Sequence, residues 1–339
     1  MRPFSFVRSE TPEQAIQATA GGNRQMPPAQ AEKQFLAGGT TIVDLMKLDV
    51  MRPQILVDIN PLQEHLGRIE ADDRGLRLGS LVRMAQAADH DAIKRDYPVI
   101  ADTLTLAASQ QIRNMASLGG NVLQRTRCTY FRDVSWAACN KRNPGSGCAA
   151  LGGENRKHAI LGASNDCIAS YPGDFAQALM VLDARVEIAG SGGPRSLAFA
   201  ELHREPGTTP QVETQLGSGE LILGFTIPAG PWTKRSRYLK IRDRESYEFA
   251  LASAAVALHL EGDVVQEARI ALGGVATVPW RAREAEAALK GQRLDEQTAM
   301  RAAEAAFVGA KTTEHNSYKV PLGKQTLVRA LLDASRMEI

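Results

Sequence analysis

All four cysteines of this 339-residue chain lie between Cys128 and Cys167. Four thiols scattered along a chain of this size would be inert core residues. Four within one short stretch mark a single site able to take four thiolates. The stretch around them, 125–167, is rich in Gly, Asn and Arg and shows neither the period of a strand nor that of a helix. A structureless run of that length inside a compact domain needs an organiser other than a hydrophobic core, and a metal centre would serve. The spacing Cys128-x10-Cys139-x8-Cys148-x18-Cys167 contains no C-x2-C, so zinc-ribbon and ferredoxin patterns are not matched. On residue type alone, an iron–sulfur cluster and a structural zinc stand level. Seven basic residues (Arg125, Arg127, Arg132, Lys141, Arg142, Arg156, Lys157) against Asp133, Glu154 and Asp166 would offset the negative charge of either centre. With four cysteines at hand, His158 reads as a solvated side chain or a neighbour of the centre rather than a ligand.

The rest of the chain is expected to fold around this excursion. Its length suggests two or three globular units at about 100–200 residues each. A net charge of +2 is too small for holding nucleic acid or an anionic membrane by bulk charge. No apolar run suits a signal peptide or a membrane span, so a soluble chain is expected. Thr11-Pro-Glu-Gln14 has the pattern of a capping box with Pro at the first helical position, predicting a helix that stops near Gly21-Gly22. Gln34–Ala37 reads as a buried strand, 38–41 as a tight loop, Ile42–Lys47 as a helix and Gln54–Asp58 as another strand: a compact βαβ unit. From about residue 61 the pattern changes to a second mixed lobe. It has strands at Leu76–Leu78, Ala184–Ile188 and Leu221–Ile227 and helices around 81–90 and 97–110. After the turn-rich Pro228–Pro231 come three β-like runs (Arg237–Ile241, Phe249–Leu260, Ala268–Leu272) and two Ala-rich helical stretches, about 281–290 and 294–308. The expected division is thus 1–228, with lobes about 1–60 and 61–228 and the insertion 125–167, followed by 229–339.

Two glycine loops are candidate anion sites. In Leu36-Ala-Gly-Gly-Thr-Thr-Ile-Val43 a strand runs into a Gly pair and then a helix start with two hydroxyls. Glycines admit a phosphate to the backbone, N–H groups point at it, and Thr hydroxyls add donors. The alternative is a tight turn with Thr caps, and the loop alone does not decide between them. It is neither a G-x-G-x-x-G nor a Walker motif, which argues against nicotinamide Rossmann and triphosphatase readings. The second loop, with Ser117, Gly119, Gly120 and Asn121, could clamp the same diphosphate. The six histidines form no H-E-x-x-H, and no G-x-S-x-G elbow occurs.

Taken together these segments resemble the FAD-binding medium subunit of the xanthine dehydrogenase family of molybdenum hydroxylases, over nearly the whole chain. The resemblance rests on AGGTTIVDLMK (37–47), IRNMASLGGN (112–121), Glu220–Leu223 before a strand ending at Pro228, and the run Tyr238–Tyr247 before an Ala-rich strand. Most members lack the cysteine excursion. The stretches 120–131 and 139–150 are similar to the FAD subunit of bacterial periplasmic-type aldehyde oxidoreductases, and a comparable insertion occurs in the 4-hydroxybenzoyl-CoA reductase type.

That resemblance implies a two-lobed FAD-binding module of PCMH type, α/β in class, with a C-terminal α+β domain of a small antiparallel sheet and helices. It implies FAD wrapped at its diphosphate by Leu36, Ala37, Gly38, Gly39, Thr40, Thr41, Ile42 and Val43, opposed by Ser117, Gly119, Gly120 and Asn121. Asp174, Ile222 and Lys240 would lie near the flavin ring, with Lys240 as a cation able to stabilise reduced flavin. Cys128, Cys139, Cys148 and Cys167 would hold a 4Fe-4S cluster. No substrate base is expected on this chain. A small subunit with two 2Fe-2S clusters and a large subunit with the molybdenum cofactor would deliver electrons, and an external acceptor would remove them. The resemblance further implies a bacterial enzyme, with co-export to the periplasm on a partner's signal as one compartment and the cytoplasm as the other. The alternatives are a 4-hydroxybenzoyl-CoA reductase-like or xanthine dehydrogenase-like subunit, a stand-alone flavin oxidase, or a zinc-stabilised scaffold.

Overall fold

Parallel strands need crossover helices, and the first sixty residues supply them. In the computed structural model, which describes residues 1–21 and 28–339, strands β1 (Ser5–Arg8), β2 (Lys33–Leu36) and β3 (Ile55–Asp58) form a parallel sheet in the order β1-β3-β2. Helices α1 (Pro12–Thr19) and α2 (Ile42–Lys47) make the crossovers. Thr11 caps α1 by accepting from Gln14 N at 3.2 Å. The Gln14 side chain reaches back to Glu10 N, so the box is shifted by one residue from its usual reciprocal form. The helix closes at Ala20; of the Gly pair expected to end it, Gly22 lies outside the described residues. A short helix α3 (Gln63–Leu66) leads to the second lobe.

There, β4 (Ile69–Asp72), β5 (Gly75–Gly79), helices α4 (Met84–Asp89), α5 (Asp91–Asp96), α6 (Pro98–Thr105), α7 (Gln110–Met115), α8 (Leu118–Val122), α9 (Thr129–Arg132) and α10 (Phe175–Val181) precede β6 (Arg185–Gly190), β7 (Gly193–Ala198) and β8 (Leu221–Pro228). The sheet runs β4-β5-β8-β6-β7, and every pair in it is antiparallel. The α/β character expected for the whole module therefore belongs to the first lobe. In the second, hairpins β4–β5 and β6–β7 replace crossovers. One face of this sheet packs on α10 through Leu78, Phe225, Val186, Leu179 and Phe175, all fully buried. Each such side chain contributes about 1.5–3 kcal/mol of burial.

The third unit is the antiparallel sheet β12-β11-β10-β9, with β9 (Ser236–Ile241), β10 (Ala252–Glu261), β11 (Val264–Gly273) and β12 (Trp280–Arg281), covered by α11 (Arg283–Leu289), α12 (Glu296–Ala306) and α13 (Lys319–Ser335). β10 is buried on both faces over most of its length, which is why its sequence is apolar without alternation. Ala255 and Ala257 join the core of the second lobe, while Ala254, Val256 and Leu258 face the C-terminal helices. The longest helix, α13, was not anticipated by the sequence reading. Its opening Val320-Pro321-Leu322-Gly323 looks like a breaker, but Pro321 sits in the first turn, where no backbone partner is lost. A Cβ at Gly323 would come within 2.3 Å of the Phe307 ring, so glycine there allows α13 to close on the end of α12.

Candidate functional site: a glycine-loop cleft beside a cysteine cavity

The first glycine loop meets the segment that carries the second because Gly38 has no side chain where they touch, and Gly119 likewise lets the second loop close on Ser80. A Cβ on Gly38 would lie 1.9 Å from Met115 O, and one on Gly119 would lie 2.9 Å from the Ser80 Cβ. Gly39 takes φ +73°, a conformation that L side chains rarely adopt. A brace not read from the sequence locks the two loops. Arg83 donates to Met115 O (2.6 Å) and to Asn60 Oδ1 (2.9 Å), and Asn60 Nδ2 donates to Ala37 O (3.0 Å).

Between the loops opens a cleft that reaches solvent. Of the residues expected to hold a cofactor, Ala37, Gly38, Gly39, Thr40, Thr41, Ile42, Ser117, Gly119, Gly120 and Ile222 line it. Leu36, Val43, Asn121, Asp174 and Lys240 do not line it. Thr41 makes no side-chain capping bond, so its hydroxyl is not committed to the helix start, contrary to the capping alternative. Ser117 does cap, accepting from Gly120 N at 3.2 Å. The wall also carries Ser80 and Arg125, both buried, with Ser80 Oγ and Arg125 Nη2 lacking a protein partner. An open cleft, glycine edges and unpartnered buried polar atoms together fit a long polar cofactor such as FAD.

Asp174 and Lys240 are brought to each other. Lys240 Nζ donates to Asp174 Oδ2 at 2.7 Å and to Leu106 O at 3.1 Å, and Tyr238 OH donates to Asp174 Oδ1 at 2.5 Å. The pair is 1% and 6% exposed at its side chains, which removes a free lysine cation from the cleft. Asp174 instead lines a second open cavity with Arg127, Cys128, His158 and Phe249, separated from the cleft by Ser170 and Tyr171, which line both. Burial and Asp174 push the Tyr238 hydroxyl well above its ordinary value.

The four cysteines line one small cavity together with Tyr130, Phe131, Ala138 and Ala149. None is in a disulfide. Little regular structure holds them. Cys139 and Cys148 form an isolated antiparallel bridge, closed by Asn140 N to Gly147 O and Gly147 N to Asn140 Oδ1, both at 2.8 Å. Asn140 Nδ2 then donates to Asp166 O at 3.1 Å, tying this hairpin to the segment of Cys167, where Ser164 Oγ accepts from Cys167 N. Thr126 Oγ1 accepts from Cys128 N and donates to Ser170 O. Burial, with like charge from Cys139 and Cys167, pushes the Cys128 thiol up to about 12; burial raises Cys167 as well. Burial thus disfavours these thiolates, and a nearby cation would be needed to hold them deprotonated. Among the described residues no three His, Cys, Asp or Glu converge as a single-ion site requires.

The seven basic residues of the segment are mostly occupied. Arg127 and Arg132 share Asp44, Arg125 and Lys141 share Glu213, and Arg156 and Lys157 pair with Asp243, with Lys157 also at Glu248. Arg142 donates to the carbonyls of Tyr130, Phe131 and Trp136. Six cations thus meet four carboxylates, which reduces the positive excess expected from the sequence. Burial alone would raise the Glu213 carboxyl, but the charges of Arg125 and Lys141 hold it down at about 2. Lys141 lines both the cleft and the cysteine cavity, so this triad forms part of their common wall. Glu213 lies in a stretch without periodicity, and nothing in the sequence signals its role.

Residues 2–230 match the FAD binding domain in molybdopterin dehydrogenase, and residues 237–334 match the CO dehydrogenase flavoprotein C-terminal domain. The chain is 44% identical over 336 residues to the aldehyde oxidoreductase FAD-binding subunit PaoB of Escherichia coli (strain K12), covering 98% of this chain and 99% of that one. It is 26% identical to the glyceraldehyde dehydrogenase medium chain of Sulfolobus acidocaldarius, covering 86% and 83%. In fold it matches reconstituted CO dehydrogenase from Oligotropha carboxidovorans with a TM-score of 0.76 at 23% identity, over 99% of this chain and 100% of that one. With a family match across more than half its length and a full-length relative at 44% identity, the chain belongs to the FAD-binding medium subunits of the molybdenum hydroxylase family.

Proposed function

We propose that this chain is the electron-transferring subunit of a molybdenum-containing aldehyde oxidoreductase, holding FAD in the glycine-loop cleft and a 4Fe-4S cluster at Cys128, Cys139, Cys148 and Cys167. The observation that carries the reading is the shared wall: Lys141 and Ala169 line both the cleft and the cysteine cavity. Bound FAD would supply a two-electron store able to exchange single electrons with iron–sulfur centres. The loops 36–43 and 117–121 would hold its diphosphate with backbone N–H groups and the Thr40 and Thr41 hydroxyls. Ile222 would offer an apolar contact in the cleft. Asp174 and Lys240 would act behind the site as a fixed ion pair that anchors β9 to the start of α10. The cysteine set supports a cluster over zinc, because a cluster spreads its thiolates over several irons whereas zinc draws four onto one ion at about 2.3 Å.

The domain limits are proposed as 1–228, with lobes 1–60 and 61–228, the cluster segment as 125–167, and the C-terminal domain as 229–339. The partners are a small subunit with two 2Fe-2S clusters and a large subunit with the molybdenum cofactor. Phe4, Phe6 and Val7, exposed on and beside edge strand β1, favour a chain that works within such a complex. Among the described residues no helix is long and apolar enough to cross a membrane. An external acceptor would remove the electrons, and the open cavity beside Asp174 and Cys128 gives it an approach. A bacterial origin and periplasmic co-export remain part of the proposal. The test is an absorption spectrum of the purified protein with iron, acid-labile sulfide and released-flavin analysis. FAD with about four iron and four sulfide per chain is the expected result. Zinc without sulfide would overturn the cluster, and absence of flavin would overturn the subunit's role.

A further inference from the structure

The cluster cavity has one neighbour whose chemistry none of the foregoing uses. His158 Nε2 lies 3.2 Å from Cys128 Sγ, within hydrogen-bond range of sulfur. The residue is 6% exposed, and its other ring nitrogen, Nδ1, is buried with no partner. A neutral imidazole carries one N–H. Were it on Nδ1, the donor would lack a hydrogen-bond partner, since the nearby Asn155 carbonyl already accepts from His158 N. On Nε2 it meets the sulfur, and only a lone pair goes unmatched, the lesser cost.

The backbone that carries the ring is also held in place, and by the C-terminal domain. His158 N donates to Asn155 O at 3.0 Å. Asn155 Oδ1 accepts from Thr313 Oγ1 (2.7 Å) and His315 N (3.1 Å), and Asn316 Nδ2 donates to the His158 and Ala159 carbonyls (3.5 and 3.4 Å). Lys319, at the start of α13, donates to Lys157 O (3.2 Å) and to Gly274 O (2.6 Å). Asn155, Asn316 and Lys319 are all at most 1% exposed, so residues 155–159, within the cysteine segment, are clamped against the start of α13. Cys167, by comparison, receives a contact from backbone only, Ala169 N–H at 3.5 Å.

We propose that His158 is a positioning residue of the cysteine centre, donating Nε2–H to the Cys128 sulfur and thereby raising the reduction potential of the cluster that this sulfur ligates. A hydrogen bond to a thiolate withdraws electron density and stabilises the reduced, more negative cluster over the oxidised one. The inference rests on the cluster reading above. It adds that the C-terminal domain, through Asn316 and Lys319, sets the electronic environment of a centre lying in the second lobe.

The experiment is an EPR-monitored redox titration of the purified holoenzyme and its His158→Leu and His158→Gln variants, with iron and sulfide counted in each. Loss of the donor in His158→Leu is expected to shift the one-electron reduction equilibrium at least tenfold toward the oxidised form, 59 mV for a one-electron couple. His158→Gln, which keeps an N–H, is expected to recover much of that shift. In the unmodified enzyme carrying 15N-histidine, pulsed EPR is expected to show a nitrogen coupled to the cluster. An unchanged potential in a fully loaded His158→Leu enzyme overturns the inference. Should that variant fail to load, absence of the 15N coupling overturns it instead. Absence of iron and sulfide from the unmodified enzyme overturns the cluster reading and this inference with it, and the elemental count separates that outcome from the other two.

Discussion

The glycine-loop cleft and the cysteine cavity share a wall and are built by opposite means. The cleft stands at the ends of regular elements, between β2, α2, α7 and α8, and the lobe behind it has its own core of Val57, Ile59, Leu62 and Leu81. Its shape is set by packing and by the Arg83–Asn60 brace. The cysteine cavity has one helical turn and one isolated bridge, and its order comes from the side chains of Thr126, Asn140, Ser146 and Ser164 bonded to nearby backbone. The difference teaches that regular elements preform one region, while side chains bonded to nearby backbone order the other, which the proposed metal centre would tie together further.

The largest expected effect separates the two. Cys139→Ser should abolish nearly all iron and sulfide and open 125–167 to limited proteolysis, while flavin content stays near one per chain. Flavin lost together with iron would show the two regions to be one folding unit. Normal turnover in this variant would count against a relay role for the cluster. The converse variant, Gly38→Ala, drives a methyl into Met115 O and should weaken FAD retention at least a hundredfold, read by flavin fluorescence released on dilution, with iron unchanged. Arg83→Met removes a charged donor from the brace at about 1.5–3 kcal/mol. A ten- to hundredfold loss of FAD affinity should follow, again without loss of iron; an unaltered affinity would mean that packing alone holds the loops.

The smallest effect probes the common wall. The Glu213 carboxyl is held at about 2 in the fold, against an ordinary 4.5. A depressed carboxylate contributes stability that is fully present above pH 4.5 and lost as pH falls toward 2. Glu213→Gln should therefore lower the denaturation midpoint at neutral pH and flatten its acid limb between those values. Equal acid slopes in the two proteins would show that the Arg125–Glu213–Lys141 triad contributes nothing to joining the regions.

Local chemistry made much of this molecule readable. α2 occupies the residues expected for it, α1 starts at its predicted cap, and the strands at 55–58, 185–190, 221–228 and 236–241 fall where apolar runs ended in turns. Both glycine loops and the common cavity of the four cysteines follow from residue types at short range. What stayed hidden depends on distant partners. α13 was masked by a proline and a glycine whose positions are tolerable only in its first turn and against Phe307. Asp174 and Lys240 stand 66 residues apart, and only the packing of α10 on the C-terminal sheet shows that each neutralises the other. The carboxylates that meet the basic residues of 125–167 come from α2, the 203–214 stretch and the loop after β9.

The chain's own sequence settled most of its element types, the presence of two glycine turns and the grouping of four thiols in one segment, because each depends on residues close in sequence. The tertiary structure decided which loops face each other, which charges are cancelled and which histidine touches a cysteine. Those outcomes turn on distances of a few ångströms between segments tens to more than a hundred residues apart, and pattern within a segment carries no record of them.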